Sequence, residues 1–394
     1  MEKTYTTSPG YKIFYVLIGV AIGGGSIILP AMADGGFAGK PALLLVPLIG
    51  IAFAVGIILN MIKQKVILSA DDITLVGLFN TKSLANADIN GFRAGYKNTI
   101  VIEPTSSALT KLNISYSDLA DSADLLEEIR QKYTDLDGEE YAKEKDQILH
   151  DSTLGATEQD RVQLMNKTKK YTGIYTGAGT ALLFIALFLP VITTNFTPFW
   201  TEVIAALLLV YPIAGIVMMH YSKGLIKLFT GKNSAYSSIF GGILFPAIGL
   251  ILMAINGATL ISYDKVWMPA AVVAAIMFFG LYVLAIKRTE ATVLSQIFFV
   301  LLIAAAYGFG SILEVNCGFD TAQPKQFTAV IEDHYITHGK STHYHVTIGD
   351  CGAFDGAENM DVSSGFYDDE PIGTKVNVYL KPGTLGIPWF YMTR

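Results

Sequence analysis

Seven long runs of this chain contain no Asp, Glu, Lys or Arg: 13–32, 41–62, 172–194, 203–221, 235–256, 266–286 and 291–313. Each is long enough to cross a hydrocarbon layer of roughly 30 Å as a helix. The chain of 394 residues is 16 % charged, against about 25 % in a typical soluble domain. The shortage lies in those runs, and the segments between them have the composition of ordinary water-soluble protein. Cysteine is scarce, with two in the chain. No Gly-x-Ser-x-Gly, His-Glu-x-x-His or Cys-x-x-Cys pattern occurs. Gly339-Lys340-Ser341 ends like a phosphate loop, but His334 stands where its first glycine belongs. A net charge of −6 offers no basic surface to a nucleic acid. These absences exclude a soluble globular protein, a disordered chain and a nucleic-acid binder. They predict a helical membrane bundle of about seven spans carrying soluble modules.

Lys and Arg are retained on the cytoplasmic side of short loops. With the N-terminus inside, the inner boundaries carry Lys3, Lys12, Lys63, Lys65, Lys167, Lys169, Lys170, Lys223, Lys227, Lys232, Lys287 and Arg288, and the short outer loops carry Lys40 and Lys265. Seven spans then put the C-terminus outside. Ala31-Met32-Ala33 has the spacing of a signal-cleavage site, but the run before it is longer than a signal h-region and is expected to stay as a span. The localisation expected is a bacterial cytoplasmic membrane.

The organisation follows: a transmembrane hairpin over 11–62, a cytoplasmic module over 66–135, a polar helical linker over 136–170, the remaining bundle over 171–313 and an outer domain over 314–394. Within 66–135, β-rich runs at 66–69, 73–79, 99–102 and 112–116 are separated by turn residues. One helix follows, with Leu119, Leu126, Ile129 and Tyr133 as its apolar stripe and Ser117 or Asp118 as its cap. Short antiparallel strands closed by one amphipathic helix after a membrane hairpin resemble the bacterial pleckstrin-homology-like (PH-like) domain, which implies an α+β fold. In eukaryotic relatives a basic loop binds phosphoinositides. Here Lys82, Arg93, Lys97, Lys111, Arg130 and Lys132 face ten carboxylates between 66 and 135, which favours a protein-contact or packing module.

In the linker, Gly155 breaks one helix, and Thr157 with Asp160 forms a capping-box start for the next. The stretch Leu154-Gly155-Ala156-Thr157-Glu158-Gln159-Asp160-Arg161 resembles a turn that recurs in a family of uncharacterised bacterial multi-span membrane proteins. That family implies fold and topology and no activity. The segments Asn316-Cys317-Gly318-Phe319-Asp320 and Gly383-Thr384-Leu385-Gly386-Ile387-Pro388-Trp389 resemble the same family, where the two pieces recur together.

The spans offer small polar groups: Asn60, Thr176, Thr180, Ser237, Ser238, Ser295 and Gln296, with His220, Asn256 and Glu314 near helix ends and Glu202 at the outer interface. A charge-coupled transporter needs ionisable residues at membrane depth, so none is expected. Gly19 with Gly23 and Gly173 with Gly177 have the four-residue spacing of closely packed helices.

The outer segment alternates like a small β domain of roughly five strands, with Phe327, Ala329 and Ile331, then Tyr344, Val346 and Ile348, then Val376, Val378 and Leu380 on the apolar faces. Cys317 and Cys351 both lie in it, and an oxidising compartment predicts a disulfide contributing up to ~4 kcal/mol. His334, His338, His343 and His345 fall within twelve residues, a candidate Zn²⁺ or Cu²⁺ site led by the strand neighbours His343 and His345. Together these features predict a non-enzymatic scaffold, assembly or transmembrane signalling component with membrane lipids and proteins on either face as partners. The alternatives are transport or lipid handling by the bundle and metal binding by the outer domain.

Overall fold

The computed structural model describes residues 2–32, 44–192, 198–257, 259–285, 293–338, 342–353 and 356–393. Lys40, Ala33, Lys287, Arg288 and the Gly339-Lys340-Ser341 segment, and the side chain of Asn256, lie outside what is described. Among the described residues, six helices are long and apolar enough to cross a membrane, which makes this a multi-pass membrane protein. The chain divides into two compact units, Met1–Lys145 with Lys232–Ser234, and Asp146–Gly231 with Ala235–Arg394.

In the first unit, strand β1 (Lys3–Thr6) precedes the long helices α1 (Pro9–Met32) and α2 (Leu45–Lys63), and α2 runs almost directly into β2 (Lys65–Leu68). β1 and β2 pair antiparallel, with Tyr5 opposite Val66. The module therefore begins at Lys3 rather than at residue 66, because the hairpin is inserted between its first two strands. β3 (Asp72–Val76) and β4 (Thr81–Ala85) complete a four-stranded sheet in the order β1-β2-β3-β4. β5 (Ile89–Ala94), β6 (Thr99–Pro104) and β7 (Leu112–Ser115) form a second antiparallel sheet. Helix α3 (Ser122–Lys132) closes the module by burying Leu125 and Ile129 in one cluster with Val66, Ile73, Phe92, Ile102 and Leu112. It starts later than the sequence indicates. Its N-cap is Asp121 in a left-handed conformation with no side-chain cap bond, and Ser117 and Asp118 lie in the preceding turn. β1 is tied to α3, since Tyr5 donates to Asp124 at 2.7 Å and Lys3 Nζ lies 2.5 Å from Glu128.

The helices of the hairpin meet at small residues. A Cβ at Gly19 would stand 2.9 Å from Ile58, and one at Gly23 would touch Ala54 at 3.6 Å. Their other faces expose Phe14, Leu17, Leu29, Leu48 and Phe53, as lipid-facing helices must. Helix α4 (Leu136–His150) leads toward the second unit.

The second unit opens with the predicted capping box. Thr157 Oγ1 accepts from the Asp160 N–H at 3.1 Å, and Asp160 Oδ2 accepts from the Thr157 N–H at 3.0 Å. Helix α5 (Glu158–Ile192) starts there, followed by α6 (Pro198–Tyr221). The expected fifth span, 235–256, becomes helical later than its apolar run begins and gives a shorter helix than the other six. Strand β8 (Ile226–Lys227) pairs with β9 (Ser237–Ser238), and Ser238 Oγ donates to the Leu228 carbonyl at 2.9 Å. Helix α7 (Phe240–Gly257) begins only after that clip. It packs against α5, α6 and the last long apolar helix, α9 (Val293–Leu313), with Ile243, Ala247 and Leu250 fully buried. Helix α8 (Trp267–Ala285) lies along α9. α7 is thus a central post surrounded by protein more than a helix bathed in lipid.

Among the described residues, the C-terminal β domain is a six-stranded antiparallel sheet that runs, in order, through β10 (Thr259–Leu260), β15 (Trp389–Thr393), β14 (Lys375–Lys381), β11 (Lys325–His338), β12 (Thr342–Ile348) and β13 (Glu358–Val362). Its sixth strand was not expected, for β10 (Thr259–Leu260) comes from the α7–α8 connection and pairs with β15 (Trp389–Thr393). The long β11 (Lys325–His338) pairs with β14 (Lys375–Lys381) along its first half and with β12 (Thr342–Ile348) along its second, with a register shift between Ile331 and Asp333. β13 (Glu358–Val362) completes the order. The alternating apolar residues Ala329, Ile331, Val346, Ile348, Val376 and Val378 form its core, with Phe390 and Met360.

Candidate functional site: the joint between bundle and β domain

Helix α9 does not stop at Leu313. It widens into a single π turn, Glu314–Gly318, a local rearrangement that frees backbone groups from the regular ladder. Asn316, fully buried, sits inside that turn. Its Nδ2 donates to the Ile387 carbonyl at 2.8 Å, and its Oδ1 accepts from the N–H groups of Leu385 at 3.0 Å and Ile387 at 3.3 Å. Its own carbonyl accepts from Thr384 at 2.9 Å. One side chain thereby satisfies the backbone of the loop leading into the last strand. A buried amide does this well because it carries both donors and acceptors.

Asp320 makes the second set of ties. Its Oδ2 accepts from the Trp389 indole at 2.9 Å and from the Gly383 N–H at 2.9 Å, and its Oδ1 accepts from the Ala322 N–H at 2.8 Å. Lys381 donates to the Asp320 carbonyl and lies 5.3 Å from the centre of the Trp389 ring. Burial pulls the Asp320 carboxyl upward. The donors on Ala322, Trp389 and Gly383 and the Lys381 charge outweigh burial and hold the carboxyl below its usual range.

Gly383 must be glycine twice over. Its φ is +75°, and a Cβ there would fall 2.4 Å from Asn316 Oδ1 and from the Ile387 carbonyl oxygen. The two sequence segments 316–320 and 383–389, separate in the chain, thus form one locus. It fixes the β domain to the end of α9, and an apolar cluster of Ala254, Leu260, Val266, Ile312, Ile387 and Trp389 lies beside it.

Two further groups lie at the joint, and one of them, Cys317, accepts from Asn316 Nδ2 through its Sγ at 3.4 Å. Glu314 is 4 % exposed. Cys317 is buried in the same apolar cluster.

The expected disulfide is not present: Cys317 and Cys351 are both free thiols. The packing explains why. Cys317 is built into the turn at the end of α9, whereas Cys351 packs on the separate core of the sheet.

The four histidines do not converge either. The pairing places His343 opposite Thr337 and His345 opposite Tyr335, so His343 and His345 share a face as expected. His334 lies opposite Val346 and His338 opposite Thr342, which puts them on the other face. Both ring nitrogens of His345 are engaged, Nδ1 with Asp361 at 2.5 Å and Nε2 with Thr337 at 2.8 Å. His334 packs against Tyr367 with ring centres 4.5 Å apart and the rings tilted by 33°. Among the described residues no group of three or more His, Cys, Asp or Glu is placed to hold a metal ion.

Inside the bundle, close packing occurs at glycines other than those the spacing picked out. A Cβ at Gly173 or Gly177 would meet no described atom within 4 Å. Gly242 and Gly215 instead seat Tyr175, whose ring and hydroxyl would lie 2.4 Å and 2.6 Å from their added Cβ atoms. Tyr175 and Tyr211 stack with centres 4.4 Å apart, and each hydroxyl donates to the other residue's carbonyl, at 2.5 Å and 2.6 Å. Tyr307 similarly donates to Leu209 at 2.7 Å. The sequence carried a signal for these, since a tyrosine inside an apolar run needs a partner for its hydroxyl. Asn60 accepts from the Leu78 N–H at 3.1 Å, so this polar group belongs to the packing of the first unit.

Comparison with protein-family models, with curated proteins and with solved structures finds no match to this chain.

Proposed function

We propose that this protein is a non-enzymatic scaffold or transmembrane signalling component of a bacterial cytoplasmic membrane, of the multi-span family its 154–161, 316–320 and 383–389 segments resemble. The N-terminal module is cytoplasmic and PH-like, and with α7, the shorter helix enclosed by α5, α6 and α9, as the seventh crossing the β domain is extracytoplasmic. The observation that carries this reading is the joint. Asn316 and Asp320 bind the β domain to α9 through buried hydrogen bonds, so a load on the domain is transmitted to a membrane helix rather than absorbed by a loose linker. The four- and three-stranded sheets closed by α3 support the PH-like assignment, and the lopsided Lys and Arg distribution supports the orientation. The bundle interior favours structure over transport, since Tyr175, Tyr211 and Tyr307 spend their hydroxyls on neighbouring helices.

The test is site-specific photo-cross-linking in native membranes from Tyr335 in the β domain and from Phe79 in the N-terminal module. Adducts to other proteins from both positions, with the β-domain adducts reduced in Asn316→Ala, are expected. Adducts to the protein alone, or none, overturn the reading.

A further inference from the structure

The sheet of the β domain has two ends, β13 and the β15/β10 pair. A cleft of about 710 Å³ runs between them. Its walls are not sheet faces. A strand face shows every second residue, because successive side chains point to opposite sides. Here four successive residues of β13, Asn359 to Val362, and three successive residues of β15, Phe390 to Met392, line the space. Consecutive residues line a cavity only along a strand's edge, where the backbone N–H and C=O groups stand. β13 has β12 on one side and, among the described residues, no strand on the other. Across the cleft, β10 reaches only as far as Phe390, opposite Thr259, and Tyr391 and Met392 continue beyond it. The cleft is therefore a seam in a curled sheet, bordered by strand edges. Edges are blunted by charge, by proline or by shortness; β13, Glu-Asn-Met-Asp-Val, has no proline, and its two charges, Glu358 and Asp361, are both acidic.

The stretch of sequence that carries β13 has one sign of charge. From Ser341 to Thr374 the chain has no Lys or Arg and seven carboxylates: Asp350, Asp355, Glu358, Asp361, Asp368, Asp369 and Glu370. Asp361, whose Oδ1 is also paired with His345 Nδ1, lines the cleft itself. An edge-lined slot with a carboxylate in its wall, on a stretch of chain without Lys or Arg, favours an extended chain of opposite charge. Main-chain pairing would supply affinity and Lys or Arg side chains the preference.

We propose that this seam is a strand-addition site for an extended, basic polypeptide segment that pairs with β13. The proposal deepens the scaffold reading and rests on it, because it names the chemistry of one partner. Its occupant adds a seventh strand and protects the β13 edge.

The test uses the full-length protein in nanodiscs and three labelled ten-residue probes: alternating Lys and Val, alternating Glu and Val, and the Lys/Val peptide with alternate amides N-methylated. Fluorescence anisotropy at low salt is expected to show the Lys/Val peptide binding at least about tenfold tighter than either other probe, since each tenfold is about 1.4 kcal/mol and the pairing replaces several hydrogen bonds. Hydrogen exchange is expected to slow at residues 358–362 when it is bound, and Asp361→Lys to weaken it. Equal binding of the N-methylated peptide, or protection elsewhere, overturns the proposal. Protection of 358–362 without peptide that grows with protein concentration overturns it in favour of a second copy. Failure of every probe while the cross-links from both modules persist removes this site and leaves the scaffold reading standing.

Discussion

The indole of Trp389 donates to Asp320 at 2.9 Å, joining the first strand residue of the C-terminal segment to the turn that leaves the last transmembrane helix, across 69 positions of sequence. Asn316 repeats the same connection four residues earlier. Neither bond is local, so the end of α9 and the end of the chain must be in place together for either to form.

Gly383 and Gly386 provide an internally controlled measurement. Both have positive φ, +75° and +73°, but a Cβ meets nothing within 4 Å at Gly386 and collides with Asn316 and Ile387 at Gly383. Gly386→Ala should cost about 1–2 kcal/mol for the left-handed backbone alone. Gly383→Ala should cost clearly more, since overpacking adds about 1–3 kcal/mol. Thermal unfolding of the two purified variants makes the comparison, and equal losses would mean that the joint is not tightly packed.

The acid limb of stability should depend on Asp320. Its carboxyl is held below the usual range in the folded protein, so folding is favoured by its ionised form. That contribution is fully present above the unfolded value, about pH 4, and is lost as pH falls through the lower folded value. Asp320→Asn should therefore flatten the loss of stability below about pH 4 while lowering stability near neutrality. Unfolding midpoints measured from pH 3 to 7 in one detergent would show it; parallel curves for both proteins would refute it.

Gly242→Ala should destabilise the bundle, because the new methyl would lie 2.4 Å from the Tyr175 ring. The cost expected is about 1–3 kcal/mol. Gly177→Ala, at a position with open space, should leave the unfolding temperature unchanged or raise it slightly through helix propensity. The opposite order would restore the packing role that the four-residue spacing suggests for Gly173 and Gly177.

Both thiols should be free in the oxidised, purified protein. Denaturation without reductant followed by alkylation should add two labels, and dithiothreitol should leave the unfolding temperature unchanged. A protein that takes up label only after reduction would contradict the structure.

The hydrophobic runs, the strand alternation around Ala329, Val346 and Val376, and the reciprocal Thr157–Asp160 cap were legible because each depends on residues close in sequence. The pairing of segments 316–320 and 383–389 was legible only as a resemblance. The contacts that give it meaning, Asn316 to Ile387 and Asp320 to Trp389, span about seventy residues and leave no periodic trace. The cysteine and histidine readings failed for a related reason. Proximity in sequence placed four histidines within twelve residues, but the strand pleat sends two to each face. A shared domain did not bring Cys317 and Cys351 together, because each belongs to a different core. The fifth run was read too long since composition does not distinguish the strand at Ser237–Ser238 from the helix that follows it.

The pairing of Lys3–Thr6 with Lys65–Leu68 constrains how the chain can be threaded. The strand before the hairpin and the strand after it are zipped to one another, so the chain that departs after Thr6 has to come back to the side it left. A single crossing, or an arrangement with one helix inverted, would leave β1 and β2 in different compartments and expose the edge of β2. The small sheet thus works as an assembly check: the first soluble module can close only when two crossings, or none, lie between its first two strands.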